Sequence, residues 1–149
     1  MRRRESRTDG SQAVNQRFLT QAVRNLSVAK KLKSTENEWC VFLCHQSAEL
    51  AMKSLLLSLG HDWRRLKDPS HSLSKIWSDF LFSSKHFEQS DLALLDAVYI
   101  DSRYPQSFTP EVQYSKVNTD NYVDATERIL KTCQLLFQKL DVVRKALSE

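Results

Sequence analysis

The sequence predicts an all-α domain: a five-helix antiparallel up-and-down bundle, with two or three long helices and a long proline-containing loop before the last. Three observations predict it. The 149 residues include only two glycines and three prolines, too few for the tight turns of an all-β sandwich or barrel. Gly10 and Gly60 lie far apart, so no glycine-rich phosphate loop of the Rossmann or P-loop kind can form. Apolar residues recur three and four apart over long stretches, the period of a helix with one buried face. With 41% hydrophobic and 27% charged residues the balance is that of a globular chain, long enough for one core without disulfide or metal staples.

Residues 1–12 are polar and arginine-rich and read as a disordered basic leader; residues 13–149 read as the domain. The first helix is expected from Ala13 to Lys33, with Phe18, Ala22, Leu26 and Ala29 on one face. A polar connector, Ser34-Thr35-Glu36-Asn37, makes it an antiparallel neighbour of the second helix, Asn37 to Leu59, which Gly60 stops. That second helix is apolar nearly all round, so it is central to the bundle, shared with another chain, or both. Ser70 is a good cap for a third helix carrying Leu73, Ile76, Trp77 and Phe80. Ser90-Asp91 opens a fourth, to Ile100, on Leu92, Leu95, Val98 and Tyr99. Pro105 and Pro110 then exclude a regular helix up to Asn118. The last helix runs from Thr119 to Leu147 on Tyr122, Ala125, Ile129, Cys133, Leu136, Leu140, Val143 and Leu147.

The net charge of +4 is unevenly spread. Residues 1–33 hold nine Lys/Arg against Glu5 and Asp9, about +7; the remaining 13 basic and 16 acidic groups leave the body at about −3. A basic leader can touch RNA, an anionic lipid or an acidic partner, but the acidic body disfavours RNA as the partner of the whole domain. Three cysteines, no secretory leader and no apolar run of membrane-spanning length fit a cytoplasmic protein with buried free thiols. Cys40 and Cys44 share a helical face with no second close Cys/His pair, so no four-ligand zinc site is expected and no cofactor is assigned.

Several segments line up in order: Glu38-Trp39-Cys40-Val41-Phe42, then Gln46-Ser47-Ala48-Glu49-Leu50-Ala51-Met52-Lys53, then His71-Ser72-Leu73, then Arg103-Tyr104-Pro105. With a long amphipathic helix at each end, this resembles the HEPN family over residues 13–147. The Arg-Tyr-Pro loop with Phe108 and Pro110 is most similar to the C-terminal HEPN domain of sacsin. The resemblance implies a helical bundle that dimerises and binds a nucleotide. It also offers two other roles, a metal-free ribonuclease and a ligand-free scaffold.

The ribonuclease members resemble one another in an Arg-x(4–6)-His motif, whose His moves protons at the ribose while the Arg stabilises the charged phosphate. No histidine follows Arg103 here; the literal match is Arg64 or Arg65 with His71, split by Pro69. The domain is therefore read as non-catalytic: a homodimerising interaction module, with a nucleoside triphosphate or other anion as its candidate ligand and a link to chaperone-type machinery. Its candidate anion-binding residues are Arg103, Tyr104, Lys53, Tyr99 and Asp101, and its candidate dimer interface is Trp39, Phe42, Leu43 and Gln46. Glu49, four residues before Lys53, offers that lysine a salt bridge instead.

Overall fold

The computed structural model describes residues 2–61, 72–80, 86–103 and 118–148. These form five helices with no strand: α1 Arg2–Leu32, α2 Asn37–Ser58, α3 Leu73–Phe80, α4 Gln89–Arg103 and α5 Thr119–Ser148. The all-helical expectation and its order hold. The first helix differs in where it starts: it runs back to Arg2 and takes in the polar segment expected to be disordered. Arg, Glu and Gln are good helix formers; Gly10 is the weakest residue for a helix there, with Thr8 and Asp9 next.

The central position of α2 follows from its composition. It packs against all four other helices, and Cys40, Val41, Cys44, Ala48, Ala51, Met52, Leu55 and Leu56 are buried on it. Small residues bring α1 close. The Ser47 hydroxyl donates to the Ala22 carbonyl (2.6 Å) and the Ser54 hydroxyl to the Asn15 carbonyl (2.7 Å). Asn15 Nδ2 donates to Ser58 Oγ at 3.0 Å. Ala22, Ala29, Ala48 and Ala51 keep the rest of this seam dry.

The ends of α2 show what the connectors do. Ser34 turns the chain in the left-handed region (φ 69°), and the Glu36 N–H returns to the Leu32 carbonyl. Glu36 opens α2 without a side-chain cap. At the far end Gly60 sits at φ 88°, with Gly60 N–H bonded to the Leu57 carbonyl and His61 N–H to the Leu56 carbonyl. This is the glycine stop the sequence predicts.

Pairings between helices fix direction. Lys33 at the end of α1 pairs with Asp120 at the start of α5, and Lys30 pairs with Glu127. The lysine holds the Glu127 carboxyl below its ordinary range, and Asp120 raises Lys33. Asp91 at the start of α4 meets Arg128 midway along α5, whereas Val98 packs with Val41 near the start of α2 and with Tyr122. Thus α1 and α4 run one way and α2 and α5 the other.

The cap of α3 differs from the expected Ser70, which lies outside the described residues. Ser72 is the cap, accepting from Lys75 N–H at 3.3 Å. Its hydroxyl donates to Asp96 Oδ2 (3.0 Å) on α4, and the same carboxylate accepts from Leu73 N–H (2.6 Å) and Ser74 N–H (3.0 Å). One aspartate therefore satisfies two orphan amides of α3 and favours its positive end. Asp96→Ala should lower unfolding free energy by about 2–3 kcal/mol, since bonds to a charged group are worth about 1.5–3 kcal/mol each and solvent replaces part of them; urea denaturation measures it. A loss under about 0.5 kcal/mol would contradict this role.

Candidate functional site

The outward face of α2 gathers the predicted interface residues. Trp39, Phe42, Leu43 and Gln46 are joined there by Leu50 and Leu57, spaced three, four and seven apart on one face. Trp39 is 56% exposed and the other five are half-buried. The Trp39 and Phe42 rings meet edge to face, centroids 6.0 Å apart, the geometry their quadrupoles favour. At the centre of the strip, the Gln46 Nε2 is buried with no hydrogen-bond partner among the described residues.

On this face and beside it α2 carries three buried ionisable groups: Lys53, three residues after Leu50 and four before Leu57, with Glu49 and His45 alongside. Lys53 Nζ donates to Glu49 Oε1 at 2.6 Å, and His45 Nδ1 lies 3.8 Å from Glu49 Oε2. The Glu49–Lys53 pair expected from spacing is present, but inside the fold rather than at its edge, with Lys53 only 5% exposed.

The predicted anion-binding residues fall in different places. Arg103 closes α4 instead of lying on a loop, because no proline interrupts the chain before Pro105 and only the residue preceding a proline is pushed out of the helical region. Tyr99 and Asp101 lie on the same last turns; the helical placement of these three is what is described. Tyr104 lies outside the described residues, as do Arg64, Arg65, His71 and the loop with Pro105 and Pro110. Lys53 is twelve residues beyond Val41 along α2, about 18 Å at 1.5 Å per residue, whereas α4 passes Val41 at Val98 and continues the other way to Arg103. Placement along the helices therefore sets Lys53 and Arg103 toward opposite ends of the bundle.

The cysteines are all free and buried. Burial alone raises the Cys133 thiol well above its ordinary value. Cys44 is raised by its hydrogen bond with Cys40 and by burial, and Cys40 is lowered by that bond. Among the described residues no group of three His, Cys, Asp or Glu side chains could hold a metal ion.

Raised thiols make an alkaline prediction. Unfolded Cys133 ionises near its ordinary value of about 9.0, whereas in the fold it stays protonated well above that. The unfolded state therefore binds fewer protons, and stability is full below about pH 9 and falls as pH rises, by up to about 1.4 kcal/mol per pH unit for one such thiol. Cys133→Ala should flatten this limb between pH 9 and 10 in urea titrations; an unchanged slope would contradict the assignment.

Sequence reasoning missed Asp96 and Arg128, and it read Asp91 only as the opener of α4. Arg128 Nε and Nη2 both donate to the Asp91 carboxylate at 2.8 Å, which raises the guanidinium pKa further. His86, Phe87, Glu88, Ile129, Lys131 and Thr132 complete the walls of a cavity of about 270 Å³ around that pair. Asp91 and Arg128 lie far apart in sequence, and no local spacing signals their pairing.

Two short helices and two long ones around a central apolar helix, itself long, define a helical-bundle domain. The HEPN domain family matches residues 16–136, and the chain belongs to it. TT1696 from Thermus thermophilus has a similar fold, with a TM-score of 0.66 at 23% identity over 80% of this chain and 95% of that one. ST0689, an archaeal HEPN homologue, gives a TM-score of 0.62 at 27% identity, over 80% and 94% of the two chains. No curated protein matches the sequence. Among the described residues no helix is long and apolar enough to cross a membrane.

Proposed function

We propose that this HEPN domain is a non-catalytic homodimerising module, and that two copies meet through the outward strip of α2. The observation that carries the reading is the concentration of apolar surface around Gln46: Trp39, Phe42, Leu43, Leu50 and Leu57 on the helix that is otherwise the most enclosed in the fold. A two-fold axis beside Gln46 would run the two α2 helices antiparallel. It would set Phe42 near the other copy's Leu50 and bring the two Gln46 amides within reach of one another. Such isologous pairing is the usual way a symmetric dimer buries one patch.

The reading extends to an anion or nucleoside triphosphate held at the Arg103 end of α4, in the manner of sacsin-type members. What supports it is the Arg103-Tyr104-Pro105 sequence directly after a helix that ends at the arginine. An arginine fork suits a phosphate bidentately.

Light-scattering mass tests the dimer: a stable monomer at high micromolar concentration would refute it. A thermal-shift screen against nucleoside triphosphates, with Arg103→Ala beside the native chain, tests the ligand. Incubation with RNA in EDTA, with His71→Ala as the comparison, tests the absence of catalysis; cleavage lost in that variant would assign the ribonuclease role instead.

A further inference from the structure

We propose that the cavity between the start of α4 and the middle of α5 binds a small α-amino acid with an apolar side chain. Its volume of about 270 Å³ suits a molecule of that size. Two elements build it. Arg128, Lys131 and Thr132 share one face of α5, three and four residues apart. Opposite them lie the first turn of α4 and the residues just before it. The Thr132 hydroxyl ties the two together, reaching the Arg128 carbonyl at 3.0 Å and the His86 carbonyl at 3.5 Å.

Arg128 is the fixed point. Its Nε and Nη2 donate to Asp91, a carboxylate only 6% exposed. Two of its five N–H groups are thereby spent. The other three have no acceptor among the described residues. A guanidinium clamped along one edge holds its other edge pre-oriented, and a second carboxylate fits that edge bidentately.

The charge balance selects the ligand. Asp91 cancels Arg128, which leaves Lys131 and Glu88 at the mouth, both exposed and neither in an ion pair among the described residues. The floor is apolar, formed by the core residues Phe87 and Ile129. A phosphate or other simple anion would meet the carboxylates of Glu88 and Asp124, whose charges already reach Arg128. A simple cation would meet Arg128 and Lys131. A zwitterion satisfies both signs: its carboxylate takes the free edge of Arg128 beside Lys131, and its ammonium faces Glu88. An apolar side chain then covers Phe87 and Ile129, the usual division of a small-molecule site into a few polar anchors and an apolar wall. No residue of the outward α2 strip lines this cavity, so the inference does not depend on the dimer.

The test titrates the full chain with L-leucine, N-acetyl-L-leucine, L-leucinamide and inorganic phosphate, following binding by calorimetry and the Arg128 Nε–H signal by NMR. Leucine should bind with a dissociation constant of about 1 mM or below, the range open to so small a ligand, and should move that signal. Each of the other three should bind at least about fivefold more weakly, having lost one charge-assisted contact. Glu88→Gln should weaken leucine by about threefold, the size of an exposed ion pair, and leave N-acetyl-leucine, which has no ammonium, unchanged. Lys131→Gln should weaken leucine by a similar factor and leave leucinamide, which has no carboxylate, unchanged. Both side chains are exposed, so both variants should fold, which circular dichroism checks. The inference is overturned by no leucine binding at about tenfold that concentration, or by an unmoved Arg128 signal. It is equally overturned if a blocked analogue or phosphate binds as tightly as leucine, or if the two variants lose affinity regardless of which end of the ligand is blocked.

Discussion

With the proposed α2 interface, Leu43→Glu should leave the chain monomeric, raising the dissociation constant of that dimer at least 100-fold in sedimentation equilibrium. Leu43 is half-buried against the core on the outward face of α2, one turn from Trp39 and three residues from Gln46. A carboxylate at that point would be duplicated across a two-fold axis, so each copy would place an unpaired charge against apolar surface. Removing a charge of this kind from water without a partner costs several kcal/mol, and a hundredfold change in affinity is about 2.7 kcal/mol. Because Leu43 also touches its own core, Trp39→Ala is the cleaner companion. Trp39 is 56% exposed in the single chain, so truncation should cost the fold less than about 1 kcal/mol, while a tryptophan buried in an interface commonly costs about 2 kcal/mol or more when truncated. A native dimer that both variants leave intact would place the interface elsewhere.

The sequence made the helices legible and left their mutual placement obscure. Helix period and the glycine stop at Gly60 follow from local rules, and both are present. The outward strip of α2 was equally readable, since Trp39, Phe42, Leu43 and Gln46 obey the same period. By composition alone α2 is central to the bundle or shared with another chain, with apolar surface on nearly every side. The structure narrows that excess to one strip, because α1, α3, α4 and α5 cover its other sides. Asp96 could not be found, because a carboxylate serving a helix start more than twenty residues away leaves no mark in the spacing around it. Nor could sequence tell paired from unpaired lysines on α1: Lys30 and Lys31 are adjacent, yet they project about 100° apart and only Lys30 reaches Glu127.

The Glu49–Lys53 pair separates a charge kept for stability from one merely tolerated. Glu49→Leu should cost about 3–5 kcal/mol in urea unfolding, because it leaves the Lys53 ammonium, 5% exposed, without the carboxylate it now meets at 2.6 Å. Lys53→Met should cost less. Glu49 would keep His45 as its neighbour, with Nδ1 3.8 Å from its carboxylate. The double variant Glu49→Leu/Lys53→Met removes both charges and substitutes apolar groups of comparable size. It should regain most of the loss and return to within about 1 kcal/mol of the native chain, since replacing a buried ion pair whole is often neutral. The resulting interaction energy, read from the four-member cycle, should therefore be about 2–4 kcal/mol. Additive losses in the double variant would mean that each side chain is held by separate partners and that the pair is incidental. Recovery would show that α2 keeps its two charges for something other than stability.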